Sequence, residues 1–249
     1  MRYGCLLLCL LSAGCGRRVE PRRVSIAAAA DLNFALGEIS LKFRATHPDV
    51  DLQVAYGSSG NFYAQIRSQA PFDVFLSADV EYPRKLIAEG IGARDSLFLY
   101  AVGRIVVWVP ASSPLDPATA LRAASVRHIA IANPQHAPYG RAAEAALRSL
   151  GIYNGVERKL VLGENVAQTL QFVQSGAADV GIVALSLALA PPVRGQGRYW
   201  EVPVGAYPSI EQGGVILKDS TAAREFRSFL LDEVGRRILK KYGFSLPEN

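Results

Sequence analysis

The stretches that decide the fold are SQAPFDVFL, residues 68–76, and SGAADVGIV, residues 175–183. In both, small and polar residues precede an Asp-Val pair and an apolar run, which is typical of a turn leading into a buried strand. The two Asp-Val pairs begin at Asp73 and Asp179, so the same pattern returns 106 residues later. The chain therefore contains one structural unit twice.

Each copy is a series of three strands and two helices in alternation. The first copy has predicted strands at 24–30, 51–56 and 73–78 and helices at 32–45 and 61–69. The second has strands at 127–133, 159–162 and 179–184 and helices at 140–150 and 166–174. Strands that alternate with helices form β-α-β units. The predicted fold class is α/β, with a mostly parallel sheet flanked by helices in each copy.

Two such sheets form two lobes with a cleft between them. We expect lobe 1 to comprise residues 24–100 and 207–249, and lobe 2 residues 101–206. The tail, with GGVILK at 213–218 and a predicted helix from Thr221 to Lys241, returns to lobe 1. Because the chain crosses twice between the lobes, the crossings form a hinge with a defined closure.

The N-terminus has the pattern of an export signal. Residues 4–11 read GCLLLCLL, an apolar run too short to span a bilayer, and SAGC at 12–15 places small residues before a cysteine. We predict a lipoprotein-type signal peptide at 1–14, lipidation of Cys15 and a tether at 15–23. The alternative is an ordinary secretory cleavage nearby. In either case the mature protein is exported to the periplasm or the outer face of a bacterial membrane.

Composition excludes several functional classes. The 249 residues are 50% hydrophobic and 20% charged, with a mean hydropathy of +0.15, which excludes a disordered chain. The net charge of +5 comes without a dense Lys/Arg block, so no nucleic-acid partner is expected. All three cysteines precede residue 16, which excludes a disulfide framework, and the histidines have no metal-site spacing. No cofactor is expected.

Four loops that each lead from a strand into a helix are candidate ligand loops. They are AAAAD at 27–31, GSSGN at 57–61, HAPYG at 136–140 and GENV at 163–166. Ligands bind parallel α/β sheets at the carboxyl ends of the strands, and helix N-termini offer free N–H groups and a partial positive charge. Two loops from each lobe would hold a small anion. Taken singly, Asp31 and Ser59 are also good N-caps that need no ligand.

An exported serine hydrolase is the alternative from a different functional class. Ser59 would be its nucleophile and His136 its base. However, GSSGN has Asn61 where the GxSxG elbow requires glycine, and no acid is placed to orient the histidine.

The quoted loops also carry a family resemblance. AAAADL, YGSSGNFYAQI, APFDVFLSAD, ANPQHAPYG, GENV and GAADVGIVALS resemble the periplasmic molybdate-binding proteins of bacterial ABC transporters. The resemblance covers nearly the whole mature chain and implies a two-lobe, type II periplasmic-binding-protein fold. It implies a monomeric, non-enzymatic binding protein that captures molybdate, or tungstate, and delivers it to a membrane permease. Sulfate, phosphate or a phosphonate are the nearest alternative ligands.

The resemblance also implies the roles of four oxyanion-binding residues. Ser59 would contribute its hydroxyl and its N–H, whereas Asp31, Tyr139 and Val166 would contribute backbone N–H groups. Where the family has a hydroxyl in the first loop, this chain has Asp31, whose carboxylate would repel a dianion. We therefore expect the Asp31 side chain to turn back and cap its own helix.

Overall fold

The structure is a computed structural model that describes residues 22–247. The predicted signal peptide, Cys15 and the tether up to residue 21 lie outside the described residues. The first strand, β1, spans Arg22–Ala29 and therefore begins two residues before the predicted strand. Arg22 belongs to the sheet because its N–H donates to the carbonyl oxygen of Asp49 and its guanidinium pairs with the Asp49 carboxylate.

The first sheet has the strand order β2-β1-β3-β10-β4. Its other strands are β2 (Val50–Gly57), β3 (Val74–Ser77), β4 (Phe98–Gly103) and β10 (Ile210–Ile216). The β1 strand pairs in parallel with β2 and β3, whereas β10 runs antiparallel to β3 and β4. The parallel half is thus the predicted β-α-β pattern, and the returning tail supplies the antiparallel half.

The second sheet repeats this arrangement, in the order β7-β6-β8-β5-β9. Its strands are β5 (Ile105–Pro110), β6 (Ile129–Ala132), β7 (Leu160–Gly163), β8 (Val180–Ala184) and β9 (Gly197–Glu201). Again β6 pairs in parallel with its two neighbours, and β5 runs antiparallel to β8 and β9. The α/β fold class and the duplicated unit are confirmed; each sheet is mixed.

The two sheets exchange strands at the crossings. The edge strand β4 of the first sheet leads through Arg104 alone into β5, the fourth strand of the second sheet. The edge strand β9 leads through residues 202–209 into β10, the fourth strand of the first sheet. Since β4 stays paired with β10 up to Gly103, the first crossing lies three residues past the predicted boundary at Tyr100.

The helices cover the faces of the two sheets. The helices around the first sheet are α1 (Asn33–Thr46), α2 (Ser59–Arg67), α3 (Glu81–Ala88), α8 (Thr221–Leu231) and α9 (Glu233–Lys241). Those around the second are α4 (Pro138–Ser149), α5 (Tyr153–Val156), α6 (Val166–Gln174) and α7 (Leu185–Ala188). We call each sheet with its helices a lobe.

The predicted single helix from Thr221 to Lys241 is in fact two helices. Asp232 has an extended backbone (ψ −178°), which ends α8, and its side chain accepts a hydrogen bond from the Gly235 N–H and caps α9. An aspartate at this point favours a cap over a continued helix, because its short side chain satisfies an N–H group that would otherwise lack a partner.

Candidate functional site

The four predicted site residues, Asp31, Ser59, Tyr139 and Val166, line one small cavity between the lobes. Each stands at or near the start of a helix that follows a parallel strand, so the strand ends carry the four loops to the same place. The sequence therefore predicted correctly that these loops converge.

Ser58, rather than Ser59, caps α2. Its hydroxyl oxygen accepts from the Asn61 N–H, and its carbonyl accepts from the Phe62 N–H. The Gly60 N–H donates to the carbonyl of His136 in the second lobe. Ser59 is then the first residue of the helix, where its own N–H has no partner within the helix.

The Ser59 hydroxyl is held in place by the backbone. Its oxygen accepts a hydrogen bond of 2.9 Å from the Ala78 N–H, and the side chain is completely buried. Because a hydroxyl has one hydrogen to donate besides its lone pairs, this arrangement leaves that hydrogen for a ligand. Ser59 can thus offer two donors to the cavity, its N–H and its O–H.

The second lobe contributes the starts of two helices. Asn165 caps α6 by accepting from the N–H groups of Ala167 and Gln168, so that Val166 is the residue whose N–H the cap does not use. In α4, Pro138 has no N–H, and the Gly140 N–H donates to the Ala137 carbonyl, which leaves the Tyr139 N–H. Both groups carry the partial positive charge of a helix N-terminus.

The prediction for the Asp31 side chain was wrong, because no helix-capping hydrogen bond is formed by it. Instead its Oδ2 accepts from the Tyr139 hydroxyl at 2.8 Å and from the Gln212 amide at 2.5 Å. The sequence placed Tyr139 in the site only through its backbone. The hydroxyl partner became visible only in the structure, since Tyr139 lies 108 residues away along the chain.

Asp31 is also unusual in its burial. It is 1% exposed, and its second oxygen, Oδ1, is buried without a hydrogen-bond partner among the described residues. Burial raises the pKa of the Asp31 carboxyl from 3.8 to about 6, because desolvation disfavours the charged form more than the Gln212 and Tyr139 side chains and the N–H groups of Asp31 and Leu32 favour it. The first loop thus holds a carboxyl group that is easily protonated.

Two side chains near Asp31 were missed in the sequence. Gln212 occupies a buried position of β10, and a lone glutamine in the apolar strand IEQGGVI was the available signal. Ser186, on α7, donates its hydroxyl to the Asp31 carbonyl oxygen at 2.8 Å. Both fix the first loop, and Ser186 does so from the other lobe.

Several other contacts join the lobes around the cavity. The Glu164 carboxylate accepts from the Asn61 side-chain amide at 2.9 Å, and His136 Nδ1 lies 2.9 Å from the Ser58 hydroxyl oxygen. The Arg141 guanidinium pairs with the Asp79 carboxylate at 2.5 Å. The lobes are therefore closed on each other, and the cavity lies inside the closed cleft.

The geometry disfavours a hydrolase. His136 contacts Ser58, whereas the hydroxyl of Ser59 is hydrogen-bonded to a backbone N–H, so the nucleophile–base pair considered above is not formed. Within residues 22–247 there is also no cluster of three or more His, Cys, Asp or Glu side chains able to hold a metal ion.

The chain is similar in sequence to known solute-binding proteins. The family model "Bacterial extracellular solute-binding protein" matches residues 24–245. Molybdate-binding protein ModA of Rhodobacter capsulatus is 40% identical over 193 residues, which cover 76% of this chain and 75% of that protein. ModA of Azotobacter vinelandii is 38% identical over 233 residues, 91% of each chain.

A solved structure is similar over the same range. The Azotobacter vinelandii periplasmic molybdate-binding protein superimposes with a TM-score of 0.83 and 31% identity, covering 90% of this chain and 100% of that one.

Proposed function

The chain belongs to the family of bacterial extracellular solute-binding proteins, and we propose that it captures molybdate in its interlobe cleft and delivers it to an ABC transporter permease. Tungstate, which has the same shape and charge, would bind similarly. The family consists of transport components without enzymatic activity, and this chain is not an enzyme.

The observation that carries the proposal is the convergence of uncommitted donors on one cavity. The N–H groups of Ser59, Tyr139 and Val166 stand at helix N-termini, and the Ser59 hydroxyl adds a side-chain donor. We propose these groups and the Asp31 N–H as the oxyanion ligands. Neutral dipoles of this kind stabilise an anion without a counter-ion.

Such a site would select its ligand by size. Molybdate and sulfate are both tetrahedral dianions, so charge does not separate them, and N–H groups fixed in helices cannot follow a smaller anion inward. A hydrogen bond to a charged group contributes about 1.5–3 kcal/mol. Several donors held slightly too far from sulfate would therefore reduce its affinity by orders of magnitude.

Calorimetric titration with molybdate, tungstate, sulfate and phosphate tests the assignment. Molybdate and tungstate are expected to bind with one site per chain, and sulfate and phosphate far more weakly. If the protein preferred sulfate, phosphate or a phosphonate, that anion would be its assigned ligand instead of molybdate. We propose that the protein is a monomer whose lobes close on the ligand. X-ray scattering with and without ligand would give its mass and show whether its radius of gyration decreases on binding.

We further propose that the chain is exported by the signal at 1–14 and anchored through a lipid on Cys15. The support is the apolar run followed by Ser-Ala-Gly-Cys, together with the extracytoplasmic setting of the family. Among residues 22–247, no helix has the length and apolar character needed to cross a bilayer. A Cys15→Ser protein should leave the membrane fraction of its host, whereas retention there would refute lipid anchoring at this residue.

A further inference from the structure

We propose that the Asp31 side chain and the captured oxyanion share one proton, so that each dianion is taken up together with one proton. The inference rests on the function proposed above and concerns a part of the site that the helix N-termini do not explain. Asp31 would then contact the ligand through its carboxyl group as well as its backbone N–H, and the carboxyl group would help to determine which anion binds.

The geometry assigns different roles to the two oxygens of Asp31. Oδ2 is occupied by two donors, the Tyr139 hydroxyl at 2.8 Å and the Gln212 amide at 2.5 Å. Oδ1 is buried and has no partner among the described residues, although the residue itself lines the cavity. A buried oxygen without a partner is costly, and a ligand that shares a hydrogen with it would remove that cost.

A proton is needed because the two charges would otherwise repel each other. An ionised carboxylate and a dianion in one buried cavity destabilise each other strongly. With a proton between Oδ1 and a ligand oxygen, the repulsion becomes a hydrogen bond to a charged group. Burial already raises the pKa of the Asp31 carboxyl to about 6, and the arrival of a dianion raises it further.

The groups around Asp31 supply no alternative proton or counter-charge. Tyr139 from α4 and Tyr100 from β4 have pKa values raised well above 10 by burial, so both stay neutral. The β10 strand presents the Gln212 amide, α7 the Ser186 hydroxyl, and α6 the apolar Val166.

The other charged groups at the closed cleft do not line the cavity that contains Asp31. Glu164 is bound to Asn61, and Arg141 is paired with Asp79. A histidine, His136, also lies at the cleft, with its Nδ1 2.9 Å from the Ser58 hydroxyl oxygen. A test of the proposal therefore has to separate Asp31 from His136.

A shared proton also affects which anion is retained. Sulfate is a much weaker base than molybdate, because hydrogensulfate is the stronger acid. It therefore accepts the hydrogen less well from a neutral carboxyl group. The Asp31 side chain would thus discriminate against sulfate through basicity, independently of the size selection made by the fixed N–H donors.

The test is calorimetry of molybdate binding at pH 7.5 in Hepes and in Tris, two buffers that differ in ionisation enthalpy. The dependence of the observed heat on buffer gives the number of protons taken up. We expect close to one proton per molybdate for the unmodified chain and for His136→Asn, and none for Asp31→Asn. Between pH 7 and 8.5 the affinity of the unmodified chain should fall about tenfold per pH unit, whereas that of Asp31→Asn should stay flat.

Molybdate binding without proton uptake by the unmodified chain would overturn the inference and leave the proposed function standing. So would uptake that persists in Asp31→Asn or is lost in His136→Asn. If molybdate does not bind but another dianion does, the molybdate assignment fails. The number of protons taken up with that other anion then shows whether Asp31 shares a proton with the ligand. If no oxyanion binds, both proposals fail.

Discussion

The Gly60 N–H donates a hydrogen bond of 2.9 Å to the carbonyl oxygen of His136, so that the backbone of α2 directly contacts the backbone of the loop before α4. A Cβ atom on Gly60 would lie 2.5 Å from that oxygen and 2.9 Å from the His136 Cα. Only glycine at position 60 allows the two lobes to come this close together.

Replacing this glycine should therefore prevent full closure. In Gly60→Ala the added methyl group would hold the lobes apart, at a cost comparable to the 1–3 kcal/mol of an overpacked contact, so molybdate affinity should fall about ten- to a hundredfold. The ligand-free protein should be as stable as before or slightly more so, because alanine is the better helix former. Calorimetry and thermal unfolding measure the two effects.

The matched control is Gly37→Ala in α1, where a Cβ atom would meet nothing within 4 Å. It should leave molybdate affinity unchanged, and X-ray scattering with ligand should show a smaller radius of gyration for it than for Gly60→Ala. Equal affinities in the two variants would show that this backbone contact is not required for the bound state.

Ser59→Ala should weaken molybdate binding by about ten- to a hundredfold, which follows from the loss of one hydrogen bond to a charged ligand. It should also lower the free energy of unfolding by about 1–3 kcal/mol, because the Ala78 N–H loses its acceptor inside the protein. Urea unfolding and calorimetry on the same preparations give both numbers.

Ser96→Ala separates the two effects. Ser96 is buried, donates to the Ala93 carbonyl and accepts from the Ile216 N–H, but it does not line the cavity. This variant should lose stability and keep its molybdate affinity. If its affinity fell as far as that of Ser59→Ala, the effect at Ser59 would reflect stability rather than contact with the ligand.

The stability of the ligand-free protein should depend on pH through Asp31. Because burial raises the pKa of its carboxyl from 3.8 to about 6, the folded protein keeps a proton that the unfolded chain has released between these values. The full stability is therefore present below pH 3.8, and up to about 3 kcal/mol of it is lost as the pH rises through about 6.

Asp31→Asn removes the ionisable group with little change of shape. Its free energy of unfolding in urea should exceed that of the unmodified chain at pH 7 and approach it at pH 4. The difference between the two proteins isolates Asp31, since all other carboxyl groups are common to both. A difference that does not vary with pH would contradict the raised pKa.

The ion pair between Arg141 and Asp79 should contribute little to closure. Its side chains are 41% and 27% exposed, and ion pairs in contact with water contribute about 0.2–1 kcal/mol. Arg141→Gln should therefore weaken molybdate binding by less than about fivefold. The difference in molybdate affinity between Arg141→Gln and the unmodified chain should shrink further in 0.5 M potassium chloride. A loss of affinity of more than twentyfold would indicate that Arg141 contacts the ligand.

The sequence predicted the parallel halves of both sheets and the meeting of the four loops because these depend on local patterns. Apolar strands, helix periodicity and small polar residues before each helix are all visible within about ten residues. The role of Gln212 could not be predicted, since it depends on β10 returning between β3 and β4, 181 residues after Asp31. The Asp31 side chain was assigned to a cap because local rules favour one, whereas its buried partners come from distant parts of the chain.

The exchange of strands at the two crossings also determines the order in which the sheets can be completed during synthesis. All five strands of the second sheet lie between residues 105 and 201, so this sheet can assemble while the rest of the chain is still being made. The first sheet lacks its fourth strand until residue 216 has emerged, and until then β3 and β4 have no common neighbour. A nascent chain that ends before β10 therefore exposes edges of β3 and β4 that the finished protein covers, and these lie on its N-terminal half, which is the half that a chaperone must protect from aggregation.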